Sequence, residues 1–264
     1  MDLQLAGKLA LVTGSTAGIG LAIGSSLAGE GATVIINGRS EKRVTEAIQK
    51  IRQQHPHAKL EALIGDLSKV EAVKQATSIF PHVDILVNNL GYYELKAFED
   101  ISDEAWTAII DANFMSGVRL SRYYLIRMKA RNWGRIIFIS SESAINIPIE
   151  MIHYGVTKTM QLALARGLAE TTAGTGVTVN SILPGPTWSE GVEQLVNQMA
   201  KSRNVAPAVV EKEFFGSVRP SSLLKRFATP EEVASLVAFI ASPLSSATNG
   251  AGLRVDGGVV RSIV

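Results

Sequence analysis

The sequence predicts an α/β fold: a single-domain, Rossmann-like, doubly wound parallel sheet of about seven strands with helices on both faces. Short apolar runs alternate with longer amphipathic stretches along almost the whole chain. Most of these runs are continuous in Val, Ile and Leu, which is typical of strands covered on both faces. Neither a linker nor a repeat interrupts the 264 residues, so we expect one domain over 1–264.

The strand candidates are the apolar runs bounded by turn residues. In chain order they lie at 8–14, 32–38, 60–66, 83–89, 134–140, 177–183 and 252–257.

Helices are expected between the strands, and three of them begin at recognisable caps. Ser40 precedes the second helical stretch, and Ser68 with Glu71 has the spacing of a capping box. The Thr-Pro-Glu-Glu run at 229–232 offers a cap, a proline at the first helical position and a glutamate at the third.

Two long helices are expected at about 103–130 and 153–173. The least regular region is about 186–228, which contains three prolines. So long an excursion inside a compact domain is often a lid, and we therefore predict a substrate-binding loop there.

Composition narrows the function classes. The chain has 26 basic and 24 acidic residues, too balanced for a nucleic-acid partner. It has no cysteine, and its four histidines lack metal-ligand spacing, so no metal site is expected. Because neither a signal peptide nor a membrane-spanning apolar run is visible, we expect a cytoplasmic protein with no membrane partner.

A glycine-rich turn follows the first strand and opens a helix. Its glycines, Gly14, Gly18 and Gly20, are spaced G-x-x-x-G-x-G. Glycines allow close approach of the backbone to a pyrophosphate, and a helix N-terminus favours the anion. The alternative is a tight strand-to-helix turn that binds nothing.

Tyr154 and Lys158 lie four positions apart, so one helix face could present both side chains. A nearby ammonium group favours a phenolate and lowers the phenol pKa, which suits proton transfer. An isolated pair of this kind is more often an ordinary surface contact.

Taken together, the motifs resemble those of the short-chain dehydrogenase/reductase family, in its compact single-domain branch, over essentially the whole chain. They are, in family order, TGxxxGIG at 13–20, GDL at 65–67, NNLG at 88–91 with Leu90 where the family has alanine, Asn113, Ser141, the Tyr154–Lys158 pair, NSILPGPTW at 180–188 and VDGG at 255–258.

The resemblance implies hydride transfer between a nicotinamide cofactor and a carbonyl or alcohol. Tyr154 would act as general acid/base, and Ser141 would orient and polarise the carbonyl. Lys158 would lower the tyrosine pKa and bind the nicotinamide ribose, and Asn113 would hold a proton-relay water. Ser140 and Ser143 are near alternatives to Ser141, which is selected by its spacing of thirteen residues from Tyr154.

The second strand ends without a carboxylate and is followed by Arg39, which favours NADP(H); NAD(H) stays open as the alternative. The predicted cofactor-binding residues are Gly14, Ser15, Thr16, Gly18, Ile19, Gly20, Arg39, Ser40, Asp66, Leu67, Asn89, Leu90, Gly91, Tyr154, Lys158, Pro184, Gly185 and Thr187.

The expected substrate is a small to medium, largely apolar ketone or secondary alcohol. The predicted substrate-binding residues are Ser141, Glu142, Ser143, Ile147, His153 and Trp188. Arg219 would either admit an anionic group or be exposed. The alternative function is a catalytically silent NAD(P)-binding regulator with the same fold. The resemblance also implies a homotetramer, or a homodimer.

Overall fold

A computed structural model describes residues 1–263 of the chain, apart from the side chain of residue 195. Its sheet has seven strands within these residues, all parallel, in the order β3-β2-β1-β4-β5-β6-β7. The strands are β1 Leu9–Val12, β2 Thr33–Gly38, β3 Leu60–Ile64, β4 Ile85–Asn88, β5 Gly134–Ile139, β6 Val177–Pro184 and β7 Gly252–Val255. The predicted fold class is confirmed, and each strand lies within a run predicted from the sequence or one residue beyond it.

Strand order reverses next to β1, whose two neighbours in the sheet are β2 and β4. The loops that follow β1 and β4 therefore diverge to opposite sides of the sheet. A crevice at such a switch point, outside the carboxyl ends of the strands, is where open α/β sheets bind ligands.

Helices cover both faces of the sheet. They are α1 Gly18–Gly29, α2 Glu41–Gln54, α3 Val70–Ile79, α4 Asp103–Ile110, α5 Ser116–Ala130, α6 Ile152–Glu170, α7 Glu190–Arg203, α8 Pro207–Glu213 and α9 Pro230–Ala241. Within the described residues, no helix is both long and apolar enough to cross a membrane.

Successive side chains of each strand point to opposite faces of the sheet and so belong to two separate apolar cores. Ala10 and Val12 of β1 pack with residues of α1, α2 and α9, whereas Leu11 between them packs with residues of α3, α5 and α6. Because successive strand residues point to opposite faces, the two clusters lie on opposite sides of the sheet. The continuous apolar runs in the sequence follow from this double burial.

The predicted helix over 103–130 is interrupted. A π-helical segment, Asp111–Met115, joins α4 to α5. Such a segment inserts an extra residue into the helical turn and is frequent at functional sites. It contains Asn113, so the interruption sets the position of a predicted catalytic residue.

The region 186–228 is more regular than predicted. Most of it is helical: α7, α8 and a second π-helical segment, Phe214–Val218. Pro207 occupies the first position of α8, where its missing N–H costs nothing. These helices enclose a third apolar cluster, formed by Val196, Ala200, Val210, Phe215 and Phe227.

Two of the three predicted caps form. Ser40 accepts a long hydrogen bond of 3.5 Å from the Arg43 N–H, and Thr229 forms the full capping box with Glu232. The Ser68–Glu71 prediction is wrong. Helix α3 starts at Val70, one residue later than that box requires, and the Ser68 N–H donates instead to Asp66 at 3.1 Å.

We expect Thr229→Ala to lower the free energy of unfolding by about 1 kcal/mol, because it removes the hydroxyl that accepts the Glu232 N–H. Chemical denaturation at fixed protein concentration measures the change. Ser68→Ala is the matched control and should change stability by less than about 0.5 kcal/mol. Equal losses in the two variants would contradict the assignment of the cap.

Candidate active site

The turn between β1 and α1 has the backbone of a pyrophosphate cradle. Gly14 and Gly18 adopt positive φ values of 61° and 54°, which favour glycine. A Cβ on Gly20 would lie 2.5 Å from both the Asn89 amide nitrogen and the Gly14 carbonyl oxygen. No described side chain caps the start of α1, so its first N–H groups are available to an anion.

Asn89, which directly follows β4, is hydrogen-bonded to this turn. Its side-chain amide donates to the carbonyl oxygens of Thr13 at 2.9 Å and Gly14 at 3.0 Å. In return, the Thr13 hydroxyl oxygen accepts the N–H groups of Asn89 and Leu90, both at 2.9 Å. The Asn89 side chain, predicted to contact the cofactor, is therefore engaged in positioning the cradle.

Ser15 is tied to the protein in the same way. Its N–H donates to the Asn37 carbonyl at 2.9 Å and its hydroxyl to the Val12 carbonyl at 2.7 Å. Both hydrogen-bond donors of Ser15 are thus used internally. Thr16, Gly18 and Ile19 continue the turn beyond it.

The end of β2 has no acidic side chain, and any side chain at Gly38 would have to displace that of Thr16. A Cβ on Gly38 would lie 2.5 Å from the methyl group of Thr16. Arg39 and Ser40 follow and are exposed. The Gly65 N–H donates to the Gly38 carbonyl at 2.9 Å, which brings the ends of β2 and β3 side by side.

Asp66 and Leu67 follow β3 at this edge. Asp66 is half-buried, beside the exposed Arg39 end of β2, whereas the Leu67 side chain is buried in the apolar core. A cofactor could therefore contact Leu67 only through its backbone.

Lys158 of α6 is buried, and its ammonium nitrogen donates to the Ile139 carbonyl at 2.8 Å. The same nitrogen lies 5.5 Å from the centroid of the Tyr154 ring. Burial lowers the pKa of Lys158 from its usual value near 10.5 to about 7. The side chain therefore titrates close to neutral pH.

The pKa of Tyr154 differs from the predicted direction. Burial raises it to about 12, and the charge of Glu142 adds to the rise, while the Ser141 hydroxyl opposes it. Lys158, whose own pKa is lowered by burial, does not contribute to this shift. The phenol is therefore protonated at neutral pH.

Three neighbouring serines have different hydrogen-bond partners. Ser140 donates its hydroxyl to the Lys158 carbonyl at 2.9 Å, and Ser143 donates to Glu142 at 3.2 Å. The Ser141 hydroxyl instead interacts with the phenol of Tyr154. It also accepts the Ser143 N–H at 3.1 Å. Ser141 thus differs from its two neighbours in its partners, and its selection by spacing stays a prediction.

Asn113 uses its side chain to hold the loop after β4. Its oxygen accepts the Tyr92 N–H at 2.9 Å, and its amide donates to the Tyr92 carbonyl at 2.9 Å and the Thr157 hydroxyl at 3.1 Å. The backbone carbonyl oxygen of Asn113 accepts a hydrogen bond from the side-chain amide of Gln161 at 2.5 Å. A relay water would have to use the second lone pair of this carbonyl. Thr157 and Gln161 were not predicted from the sequence; their one-turn spacing on α6 is the signal that could have found them.

Glu142 and Arg219 form a buried ion pair next to Ser141. Arg219 Nε donates to Glu142 Oε1 at 2.9 Å, and an Arg219 terminal nitrogen lies 3.4 Å from Glu150. Arg219 is 6% exposed. Its guanidinium is therefore already committed to two carboxylates, so neither role expected from the sequence, admitting an anionic group or facing solvent, applies.

His153 departs from its predicted place at the pocket edge. Its side chain is fully buried, and its ring packs edge-on against Trp106 with centroids 5.9 Å apart. Burial lowers its pKa, so the imidazole is neutral at neutral pH.

Of the remaining predicted residues, Trp188 packs against the third apolar cluster, and the others lie outside it. Ile147 is exposed, and Trp188 packs against Phe227 with ring centroids 5.3 Å apart. Thr187 donates its hydroxyl to the Gly185 carbonyl at 2.9 Å, which closes the turn after Pro184. Next to Asn113, a Cβ on Gly91 would lie 3.0 Å from that residue's side-chain oxygen.

Known proteins share this architecture. A family model described as enoyl-(acyl carrier protein) reductase matches residues 14–260. The uncharacterized oxidoreductase YvaG of Bacillus subtilis is 51% identical over 263 residues, covering 100% of both chains. A D-beta-hydroxybutyrate dehydrogenase of Cupriavidus necator is 35% identical, over 97% of this chain and 99% of its own. The solved structure of L-sorbose reductase from Gluconobacter frateurii, complexed with NADPH and L-sorbose, has a TM-score of 0.93, 29% identity and 100% coverage of both chains.

The depressed pKa of Lys158 makes stability depend on pH. Between about pH 7 and 10 the unfolded chain holds a proton on this lysine that the folded chain has released, so stability rises with pH. We expect the free energy of unfolding of the wild type to gain roughly 2–4 kcal/mol over this range relative to Lys158→Met.

Denaturation curves at several pH values, at one protein concentration, measure this difference. Lys42→Met, which removes a lysine whose side chain is 84% exposed, should retain the wild-type pH dependence. Parallel pH profiles for the wild type and Lys158→Met would show that Lys158 is charged in the folded state.

Proposed function

Because this chain belongs to the short-chain dehydrogenase/reductase family and is an NAD(P)-dependent oxidoreductase, we propose that it interconverts a small to medium, largely apolar ketone and the corresponding secondary alcohol with NADP(H). The observation that supports this most directly is the site around Tyr154. Its neutral phenol interacts with the one serine of three whose hydroxyl is not donated elsewhere among the described residues.

The proposed chemistry begins with the phenol. When bound, NADPH supplies the hydride that adds to the carbonyl carbon, and NADP⁺ accepts it in the reverse direction. Tyr154, protonated at neutral pH, transfers its proton to the carbonyl oxygen, so that the alcohol forms. Ser141 donates a hydrogen bond to the same oxygen and stabilises the charge that develops there.

Lys158 would restore the proton. With a pKa of about 7, its ammonium can give up a proton near neutral pH without a large free-energy cost. A water on the Asn113 carbonyl oxygen would connect it to solvent. Lys158 would also bind the ribose of the cofactor, which is the role the family resemblance implies.

NADP(H) is the proposed cofactor because of the end of β2. The end of β2 carries Asn37 and Gly38 and no acid that would hydrogen-bond a ribose 2′-hydroxyl, and an acid would repel a 2′-phosphate. The exposed guanidinium of Arg39 is the group at this edge that can clamp that phosphate.

We propose further that 186–228 acts as a lid, since Arg219 connects this segment to Glu142 beside Ser141. We also propose assembly into a homotetramer or homodimer. Ile126 of α5 and Val70 of α3 are both exposed and line one groove, and contiguous exposed apolar surface of this kind often marks an interaction site.

Removing the phenol hydroxyl should abolish proton transfer. We expect Tyr154→Phe to lower kcat/KM for carbonyl reduction by about 10²–10⁴-fold while NADPH fluorescence on binding is retained. Tyr123→Phe, which deletes a hydroxyl bonded to the Thr77 carbonyl, is the control and should stay active. Undiminished activity of Tyr154→Phe would refute the mechanism, and cofactor binding without turnover by the wild type would favour the regulator.

Cofactor choice can be tested at Arg39. Arg39→Ala should weaken NADPH binding by about 10-fold or more through loss of a charge-assisted contact, with little change for NADH. Fluorescence titration with both cofactors measures the ratio. Arg43→Ala, which removes an exposed guanidinium paired with Glu190 at 3.4 Å, should leave the preference intact. An unchanged preference in Arg39→Ala would argue for a different phosphate contact.

A further inference from the structure

Tyr93, in the loop after β4, lies beside the proposed acid and reaches the proposed lid. Its ring packs edge-on against the ring of Tyr154, with centroids 6.1 Å apart. Its hydroxyl oxygen lies 4.0 Å from the position that a Cβ on Gly191, the second residue of α7, would occupy. The side chain of Tyr93 therefore spans the distance between Tyr154 and the start of the lid. A substrate whose carbonyl oxygen reaches Tyr154 binds next to this ring.

Part of the Tyr93 ring is free to contact a ligand. The residue is 43% exposed, and Tyr154 is itself partly accessible, so a ligand can reach both rings. An edge-on pair uses one side of an aromatic ring, and the rest of the ring stays open to a second partner. Hydration of exposed aromatic surface is unfavourable, and an apolar group packed against it removes that cost. Tyr93 thus offers an apolar contact directly beside the proposed acid.

The loop after β5 brings a second apolar side chain to the same place. Ile147 is 41% exposed, and a Cβ on Gly155, the neighbour of Tyr154 in α6, would lie 2.9 Å from one of its methyl carbons. Ile147 and Tyr93 therefore approach Tyr154 from two different loops. We expect a substituent on the reacting carbonyl to meet apolar surface from both.

Charged groups of these loops are paired with one another. Glu94, next to Tyr93 in the chain, lies 3.9 Å from Lys96, and Glu142 lies 2.9 Å from Arg219. An ionic substituent would have to compete with these pairs for a counter-charge, and its desolvation beside apolar side chains would be costly. A neutral substituent avoids both costs.

We propose that Tyr93 is a specificity-determining residue that packs against the substituent on the reacting carbonyl, and that the preferred substrates are aryl ketones and the corresponding benzylic alcohols. A planar aromatic ring can pair with Tyr93 in the offset or edge-on geometry that aromatic pairs favour, whereas a saturated ring gains only the burial of its surface. The assignment rests on the proposed oxidoreductase function and narrows its apolar substrate to one chemical class.

The test compares acetophenone with cyclohexyl methyl ketone, which have the same carbon skeleton and differ in whether the ring is aromatic. Because the two ketones also differ in intrinsic reactivity, the readout is the change between variants in the ratio of their kcat/KM values with NADPH. Tyr93→Leu removes the aromatic ring and should lower the ratio of acetophenone to cyclohexyl methyl ketone by about 3- to 10-fold, the range expected for loss of an aromatic pair.

Two further variants separate recognition from structure. Tyr93→Phe keeps the ring but removes the hydroxyl that reaches α7, and it should keep the wild-type ratio. Tyr92→Leu removes the neighbouring tyrosine ring, which is 42% exposed, and leaves the backbone groups that bond to Asn113 in place. It should also keep the ratio. Thermal unfolding with NADPH bound confirms that each variant is folded.

The outcomes distinguish this assignment from the function on which it rests. A ratio unchanged by Tyr93→Leu, or lowered equally by Tyr92→Leu, would overturn the assignment of Tyr93, while turnover of either ketone would leave the oxidoreductase function standing. Binding of NADPH with no turnover of either ketone, or of any carbonyl in a broad panel, would overturn both.

Discussion

The site depends on the hydrogen bonds that Asn89 makes with the glycine turn. Its amide reaches the carbonyl oxygens of Thr13 and Gly14, and the space it fills is the space a Cβ on Gly20 would need. This fixes the turn after β1 against the end of β4. From there contacts continue through Gly91 to Asn113 and, by the Asn113–Thr157 bond, to the helix that bears Tyr154 and Lys158. The cofactor cradle and the proposed acid are thus parts of one framework.

Features set by local sequence were predictable, whereas those set by packing were not. Continuous apolar runs predicted all seven strands, because double burial leaves a direct trace in the sequence. The π-helical segment at Asp111–Met115 leaves no such trace, since the contacts made there, from Asn113 to Tyr92 and Thr157, join residues 21 and 44 positions apart. Pro207 was read as a sign of irregularity, although it starts a helix. Within the site, spacing selected Ser141, but the direction of the Tyr154 pKa shift depends on burial, which the sequence does not show.

Burial shifts the pKa values of Tyr154 and Lys158, the two proposed catalytic groups, in opposite directions and favours the neutral form of both. It raises the pKa of the Tyr154 phenol and lowers that of the Lys158 ammonium, because in each case the charged form is disfavoured. Above neutral pH, each of the two side chains is therefore uncharged to a larger extent than the same side chain would be in water. A protonated phenol is ready to donate, which suits carbonyl reduction. Alcohol oxidation needs the phenolate, and a bound cationic nicotinamide ring is the kind of charge that favours it.

The Arg219–Glu142 pair gives the proposed lid a physical basis. Separating buried opposite charges inside the protein is costly, because each is left without compensation. Moving Arg219 into water costs less free energy, because hydration replaces the interaction that its guanidinium loses. The proposed lid would therefore open without stranding a charge only if water also reaches Glu142 as Arg219 leaves it.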